Sequence, residues 1–69
     1  MQAVTLHHLS PRERAVALLI AQDKPIKVIC DKLKLHPRTV AIYIRRAKAK
    51  LGVQSLVGIA LIVVSCREL

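Results

Sequence analysis

Helix-boundary residues divide this sequence into short segments and constrain its fold more than any other feature. The stretch SPRE at residues 10–13 has the pattern of a capping box, in which the serine hydroxyl accepts from the glutamate amide and the glutamate carboxylate reaches back. Pro25 and Pro37 mark two further helix starts, since the first helical turn does not need the missing proline N–H. Gly52 is suited to close the third helix in a left-handed conformation.

Apolar residues recur at helical spacing between these boundaries. The first helix is predicted to end at Asp23, the second by His36, and the fourth begins near Ser55. The predicted core positions, helix by helix, are Val16, Leu19 and Ile20; Ile26, Ile29, Cys30 and Leu33; Val40, Ile44, Ala47 and Leu51; and Leu56, Ile59, Ala60 and Val63. Because no segment alternates like a strand, 69 residues predict one all-α domain of four helices.

The positive charge of the chain is concentrated in its middle. The net charge is +8, and nine of the twelve lysines and arginines lie between Lys24 and Lys50, where Asp31 is the only acid. Such a stretch indicates a polyanionic partner, either a nucleic acid or an anionic membrane. Tyr43 is the only aromatic residue, so the chain lacks the stacking platforms of single-strand binders. If the polyanion is a nucleic acid, a duplex is therefore favoured over a single strand.

The second and third helices form a helix-turn-helix pattern, because only a few residues around Leu35 separate them. The outer face of the third helix carries Arg38, Ala41, Ile42 and Arg45, flanked by Arg46, Lys48 and Lys50. Small and apolar residues allow close approach to base edges, and Arg45 can donate two hydrogen bonds to guanine. The flanking cations are expected to neutralise phosphates and fix the register on the duplex.

Three segments together resemble the LuxR/NarL/GerE-type DNA-binding domain. They read LSPRERAVALLIAQ, KVICDKLKLHPRTVAIYI and KLGVQSLVGIAL, and the resemblance covers residues 9 to about 61. It implies a four-helix helix-turn-helix domain over residues 9–69 after a tail at residues 1–8. It also implies that the third helix enters the major groove and that the fourth pairs two subunits. With only about eight residues before the first helix, the chain is either a stand-alone bacterial regulator or an excised domain, and a native-looking Met1 slightly favours the former.

The resemblance also assigns individual residues. Thr39 matches a phosphate contact, Lys27 matches a backbone contact, and Ala41, Ile42 and Arg45 match base-facing positions. The expected DNA-binding set is therefore Lys27, Arg38, Thr39, Ala41, Ile42, Arg45, Arg46 and Lys48.

Several positions depart from the family pattern. Lys34 stands where the family usually has Gly, and His36 stands where it usually has a Ser cap. Ala41 stands where the family usually has a Lys. If position 34 still needs a positive φ, its lysine costs on the order of 1 kcal/mol.

The fourth helix is apolar on nearly all sides, which predicts a second buried face. We expect a homodimer whose interface includes Val57, Leu61, Val64 and Ser65. The alternative is a protein-interaction modulator that forms a heterodimer with a larger LuxR-type regulator and blocks or alters its DNA binding. A membrane-active peptide is less favoured, because the capping and turn signals are those of a compact fold.

Catalysis finds little support in the sequence. His7, His8 and His36 are not placed with cysteines or carboxylates at metal-ligand spacing, so we expect neither an enzyme nor a metal, cofactor or small-molecule ligand. Cys30 and Cys66 are expected to be reduced core thiols. The uncharged run at residues 53–66 is too short to span a membrane, and no signal peptide is evident. The expected location is the cytoplasm, on the nucleoid.

Overall fold

The computed structural model describes residues 6–67, apart from the side chains of His7 and Arg67. A 3-10 helix at Leu6–His8 precedes four α-helices, which are α1 (Pro11–Ala21), α2 (Ile26–Leu33), α3 (Pro37–Leu51) and α4 (Leu56–Arg67). No strand occurs in this part of the chain, so the all-α, four-helix prediction is confirmed. Residues 1–5 of the predicted tail and residues 68 and 69 of the predicted domain lie outside the described range.

Local side-chain caps start α1 and α3 as the sequence predicts. The Glu13 amide donates to the Ser10 hydroxyl at 3.2 Å, and the Ser10 amide donates to the Glu13 carboxylate at 3.0 Å. At the start of α3, the Arg38 amide donates to Nδ1 of His36 at 3.0 Å, so His36 replaces the usual hydroxyl cap. Asp23 follows the end of α1 with a φ of 61°, which confirms the predicted turn there.

Two helices end in the same type of left-handed turn. Lys34 has φ 56° and ψ 48° after α2, and Gly52 has φ 70° and ψ 30° after α3. The amide that follows each turn donates back into its helix, from Leu35 to the Cys30 carbonyl and from Val53 to the Lys48 carbonyl, both at 3.0 Å. Both turns therefore satisfy helix-end carbonyls in the manner of a Schellman motif.

The core lies where α1 packs against the other three helices. Its buried apolar residues are Leu9, Val16, Ala17, Ile20, Ile29, Cys30, Val40, Ile44, Ala47, Leu51, Ile59 and Val63. All four core positions predicted for α3 are among them, because that helix buries one continuous stripe.

Four predicted core residues were assigned wrongly, and one of them, Ala60, is half-buried on α4 and lies outside the core cluster. Ile26 and Leu56 are 42% and 41% exposed, because each is the first residue of its helix and lies at the edge of the packed region. Cys66 is half-buried near the end of α4 and lies outside the core cluster, whereas Cys30 is a buried core thiol as predicted. Burial at helix ends thus depends on where the neighbouring helices stop.

Candidate nucleic-acid interface

The outer face of α3 is accessible because the opposite stripe of this helix fills the core. Arg38, Ala41, Ile42 and Arg45 are all exposed, as the helical spacing predicts. Arg46 is exposed at one edge of this face, whereas Thr39 and Lys48 are half-buried at its margins. We call the surface formed by residues 38, 41, 42 and 45 the outer face.

Ala49 belongs to the same surface and was not among the predicted site residues. It lies one turn beyond Arg45 and two turns beyond Ile42, and it is exposed. The i, i+4, i+7 relation of residues 42, 45 and 49 indicates this position, since no side-chain chemistry marks an alanine. The outer face therefore continues as a small-residue surface towards the end of α3.

Lys50 does not join the flanking cations of the outer face, contrary to the sequence-based interpretation. Its ammonium group donates to Oε1 of Glu13 at 2.7 Å, across 37 residues of sequence. The Glu13 side chain is 3% exposed and that of Lys50 is 42% exposed, so a buried carboxylate meets a partly solvated cation. This hydrogen bond joins the C-terminal turn of α3 to the N-terminal turn of α1.

Glu13 is charged in this environment. The Lys50 hydrogen bond is the main cause that lowers the pKa of Glu13, and the Ser10 amide lowers it further, whereas burial acts in the opposite direction. The ion pair consequently fixes the end of α3 against α1, and one fewer cation remains for an anionic ligand.

Lys27 lies beside the start of α3 although it belongs to α2. It is exposed, and with Lys34 and Pro37 it lines an open groove with a volume of about 600 Å³. The other residues around this groove are Ile26, Cys30, Asp31 and Leu35. The structure therefore brings Lys27 to the end of α3 that also presents Arg38.

The predicted interface residues of α4 are exposed. Val57, Leu61 and Val64 are 67%, 62% and 45% accessible, and Ser65 beside them is also exposed. The opposite side of α4 packs into the core through Ile59 and Val63. Such large exposed apolar side chains on one helix mark a potential contact surface.

An apolar groove adjoins this surface of α4. It has a volume of about 460 Å³ and lies between the end of α1, the start of α2 and the start of α4. Its lining consists of Ile20, Asp23, Lys24, Pro25, Ile26, Ile29, Leu56, Val57 and Ala60. Val57 is common to the groove and to the exposed surface of α4, so the two form one apolar region.

Features for binding a metal ion or spanning a membrane are limited in residues 6–67. In this described range, no group of three or more histidine, cysteine, aspartate or glutamate side chains is arranged to hold a metal ion. None of the described helices is individually long and apolar enough to cross a membrane; α3 with α4 to Cys66 meets those criteria only as a pair bent by 61°.

Comparison with known proteins agrees with this geometry. The family model for bacterial regulatory proteins of the luxR family matches residues 7–63, which include most of the 3-10 helix, α1 to α3 and much of α4. No solved structure gives a significant match.

Response regulators are among the similar curated proteins. Response regulator GacA of Pseudomonas aeruginosa is 45% identical over 56 residues, which cover 81% of this chain and 26% of that protein. Response regulator GacA of Pseudomonas viridiflava and that of Pseudomonas syringae pv. syringae are each 43% identical over the same extents. The chain thus spans about a quarter of the length of these relatives.

Proposed function

The chain belongs to the luxR family of bacterial regulatory proteins, and we propose that it binds specific duplex DNA sequences as a homodimer. Family membership makes it a DNA-binding domain of transcription regulation, and this is not a family of enzymes. One observation carries the specific proposal: the outer face of α3 is exposed, small or apolar at its centre, and has Arg38 and Arg45 along it. A major groove accepts a helix with these properties.

In the proposed complex, α3 lies in the major groove. Arg45 donates two hydrogen bonds to a guanine, while Ala41 and Ile42 contact thymine methyl groups. The phosphate contacts come from the margins and from α2, through Lys27, Arg38, Thr39, Arg46 and Lys48. Exposure of these residues, in full or in part, supports these roles, because a base or phosphate contact requires access from solvent.

The proposed homodimer pairs α4 with its symmetry mate. Val57, Leu61, Val64 and Ser65 would lie in a self-complementary interface about a two-fold axis. Three large apolar side chains exposed on one helix support this interface, since burial of apolar area stabilises association. Two recognition helices related by this axis would read an inverted repeat. We take residues 9–69 as the DNA-binding unit and the cytoplasmic nucleoid as its place of action.

Selection from a random duplex library at near-physiological salt tests the proposal. Enrichment of an inverted repeat is the expected result, and its half-site spacing would define the dimer geometry. Recovery of single half-sites would retain sequence-specific binding but contradict the homodimer. Recovery of no motif would contradict sequence-specific recognition.

Variants then separate base reading from phosphate contact. Arg45→Ala is expected to weaken binding to the selected site by about 1–3 kcal/mol and to relax one base position. Lys48→Ala should weaken binding to all sequences alike and reduce the salt slope by roughly one. Arg12→Ala is the matched control, because Arg12 is an exposed cation of α1 and does not belong to the outer face. Equal loss on all sequences would make Arg45 a phosphate contact.

A second function is a heterodimeric modulator of a larger LuxR-type regulator. The exposed apolar side chains of α4 favour it, since they suit a homologous α4 as well as a second copy. It predicts weak DNA binding by the isolated chain and tight binding to a homologous DNA-binding domain. Leu61→Asp should abolish both the homodimer and the heterodimer in sedimentation experiments. Sedimentation of the wild-type chain alone, and of the wild-type chain mixed with a homologous DNA-binding domain, distinguishes the two associations.

A further inference from the structure

Lys34 occupies a backbone conformation that a glycine would adopt with less strain. Its φ of 56° lies in the left-handed region, as does the φ of 70° of Gly52 in the matching turn after α3. Both turns have the same back-donated hydrogen bond, and both place an apolar residue, Leu35 or Val53, against the core. The turn after α2 therefore requires a left-handed residue but does not require a lysine.

The side chain of Lys34 provides no compensation inside the fold. The residue is exposed, and no hydrogen bond or ion pair from its ammonium group occurs among residues 6–67. A strained residue whose side chain makes no stabilising contact within the fold is a candidate for a contact with another molecule.

The location of Lys34 indicates an anionic partner. Lys27 and Asp31 lie one turn apart on the same flank of α2, and Lys34 follows the last residue of that helix. The same three residues line the groove that ends at Pro37, the first residue of α3. Lys32 lies on the opposite flank by helical geometry.

We propose that Lys34 contacts a DNA phosphate beside the inserted α3, and that it does so at the expense of fold stability. The inference rests on the proposed function, because a phosphate lies at this position only if α3 enters the major groove. Lys27 and Lys34 both line the groove, so a phosphodiester bound there would lie near both cations. The Asp31 carboxylate between these cations weakens the attraction without cancelling it.

Substitutions at position 34 separate the backbone effect from the charge. Lys34→Gly relieves the strain and removes the cation, Lys34→Asn keeps a residue that tolerates the left-handed region, and Lys34→Arg keeps the charge. The matched control Lys32→Gln removes a cation from the other flank of α2. Circular dichroism melting reports stability, and fluorescence anisotropy with a labelled duplex of mixed sequence reports affinity at several salt concentrations.

The expected signature is a melting temperature and a DNA affinity that change in opposite directions. Lys34→Gly should raise the melting midpoint by about 4 °C. It should also reduce affinity about eight-fold at 0.1 M salt. Each neutralised phosphate contributes roughly 0.9 to the slope of log affinity against log salt, which is about eight-fold over the tenfold range from about 1 M to 0.1 M. Lys34→Asn should lose the same affinity, whereas Lys34→Arg and Lys32→Gln should keep the wild-type slope.

The outcomes that overturn the inference are distinct from failure of the proposed function. If the wild-type chain binds duplex DNA and Lys34→Gly binds equally well, Lys34 is not a phosphate contact. If Lys32→Gln loses as much affinity as Lys34→Gly, the attraction is diffuse and the assignment to one flank is wrong. If the wild-type chain does not bind duplex DNA at all, the proposed function fails and the inference fails with it.

Discussion

The Glu13–Lys50 ion pair connects the start of α1 to the end of α3, and its removal should destabilise the fold. The Lys50 ammonium group is 2.7 Å from Oε1 of Glu13, and the same oxygen accepts from the Ser10 amide at 3.0 Å. Lys50→Met removes the charged donor and keeps an unbranched side chain of similar length. The carboxylate would remain in place, because the Ser10 amide still binds it.

The expected loss follows from the exposure of the two partners. A hydrogen bond to a charged group contributes about 1.5–3 kcal/mol. The Lys50 side chain is 42% exposed, so solvent screening reduces this figure to about 1–2 kcal/mol. The Glu13 side chain is 3% exposed, and water cannot easily replace the lost donor. We therefore expect Lys50→Met to lower the free energy of unfolding by about 1–2 kcal/mol at pH 7.

The pH dependence of this loss has a definite sign. The hydrogen bond from Lys50 lowers the pKa of Glu13 in the folded protein, and burial opposes it. Its stabilising contribution is therefore complete above the unfolded glutamate pKa of about 4.3, and it is lost as pH falls through the folded value. In Lys50→Met no lysine opposes the effect of burial on the pKa of Glu13, so the carboxylate is protonated at a higher pH than in the wild type. Protonation then removes the cost of the unpaired buried charge. The stability difference should therefore shrink as the pH falls from the higher Glu13 pKa of the variant to the lower Glu13 pKa of the wild type.

Urea denaturation followed by circular dichroism, at neutral and at acidic pH, measures this difference. Glu13→Gln and the double variant complete a mutant cycle, whose coupling energy should be about 1 kcal/mol. Lys32→Met is the control, since Lys32 is exposed and makes no ion pair within the described residues. A loss at pH 7 below about 0.5 kcal/mol would refute the reasoning. So would a loss that stays constant into acid.

Three further predictions concern packing, capping and charge. Gly58→Ala places a methyl group 2.7 Å from Cβ of Val53, so in urea melts the overpacking cost of about 1–3 kcal/mol should exceed the helix-propensity gain of about 1 kcal/mol. His36→Ala removes the acceptor for the Arg38 amide and should cost about 1 kcal/mol in the same assay. Asp31→Asn removes the acid between two groove lysines and should raise duplex affinity several-fold at low salt by anisotropy.

The helix boundaries could be predicted from the sequence because each depends on residues that are close neighbours along the chain. The cap of α1 involves Ser10 and Glu13, three positions apart, and the cap of α3 involves His36 and Arg38, two positions apart. The left-handed end of α3 at Gly52 uses a hydrogen bond within one turn. Such interactions form in the same way whichever elements pack around them.

The outer face of α3 could likewise be predicted, because a helix with one continuous apolar stripe exposes the opposite side. Burial of the stripe from Val40 to Leu51 leaves Arg38, Ile42 and Arg45 accessible without reference to any other helix. What these residues contact on DNA remains a prediction. The sequence predicts strain at Lys34 if the turn needs a positive φ there, and the structure shows that φ.

Only the tertiary structure determined which distant residues form pairs and which residues at helix ends are buried. Lys50 resembles the other cations of α3 in sequence, yet it pairs with Glu13 because the folding of the chain brings together residues 37 positions apart. Ile26 and Leu56 have the spacing of core residues, yet both are exposed because the covering helices do not extend over them. Local patterns determine helices and their faces, whereas burial and long-range pairing depend on the relative positions of the helices, which no periodicity encodes.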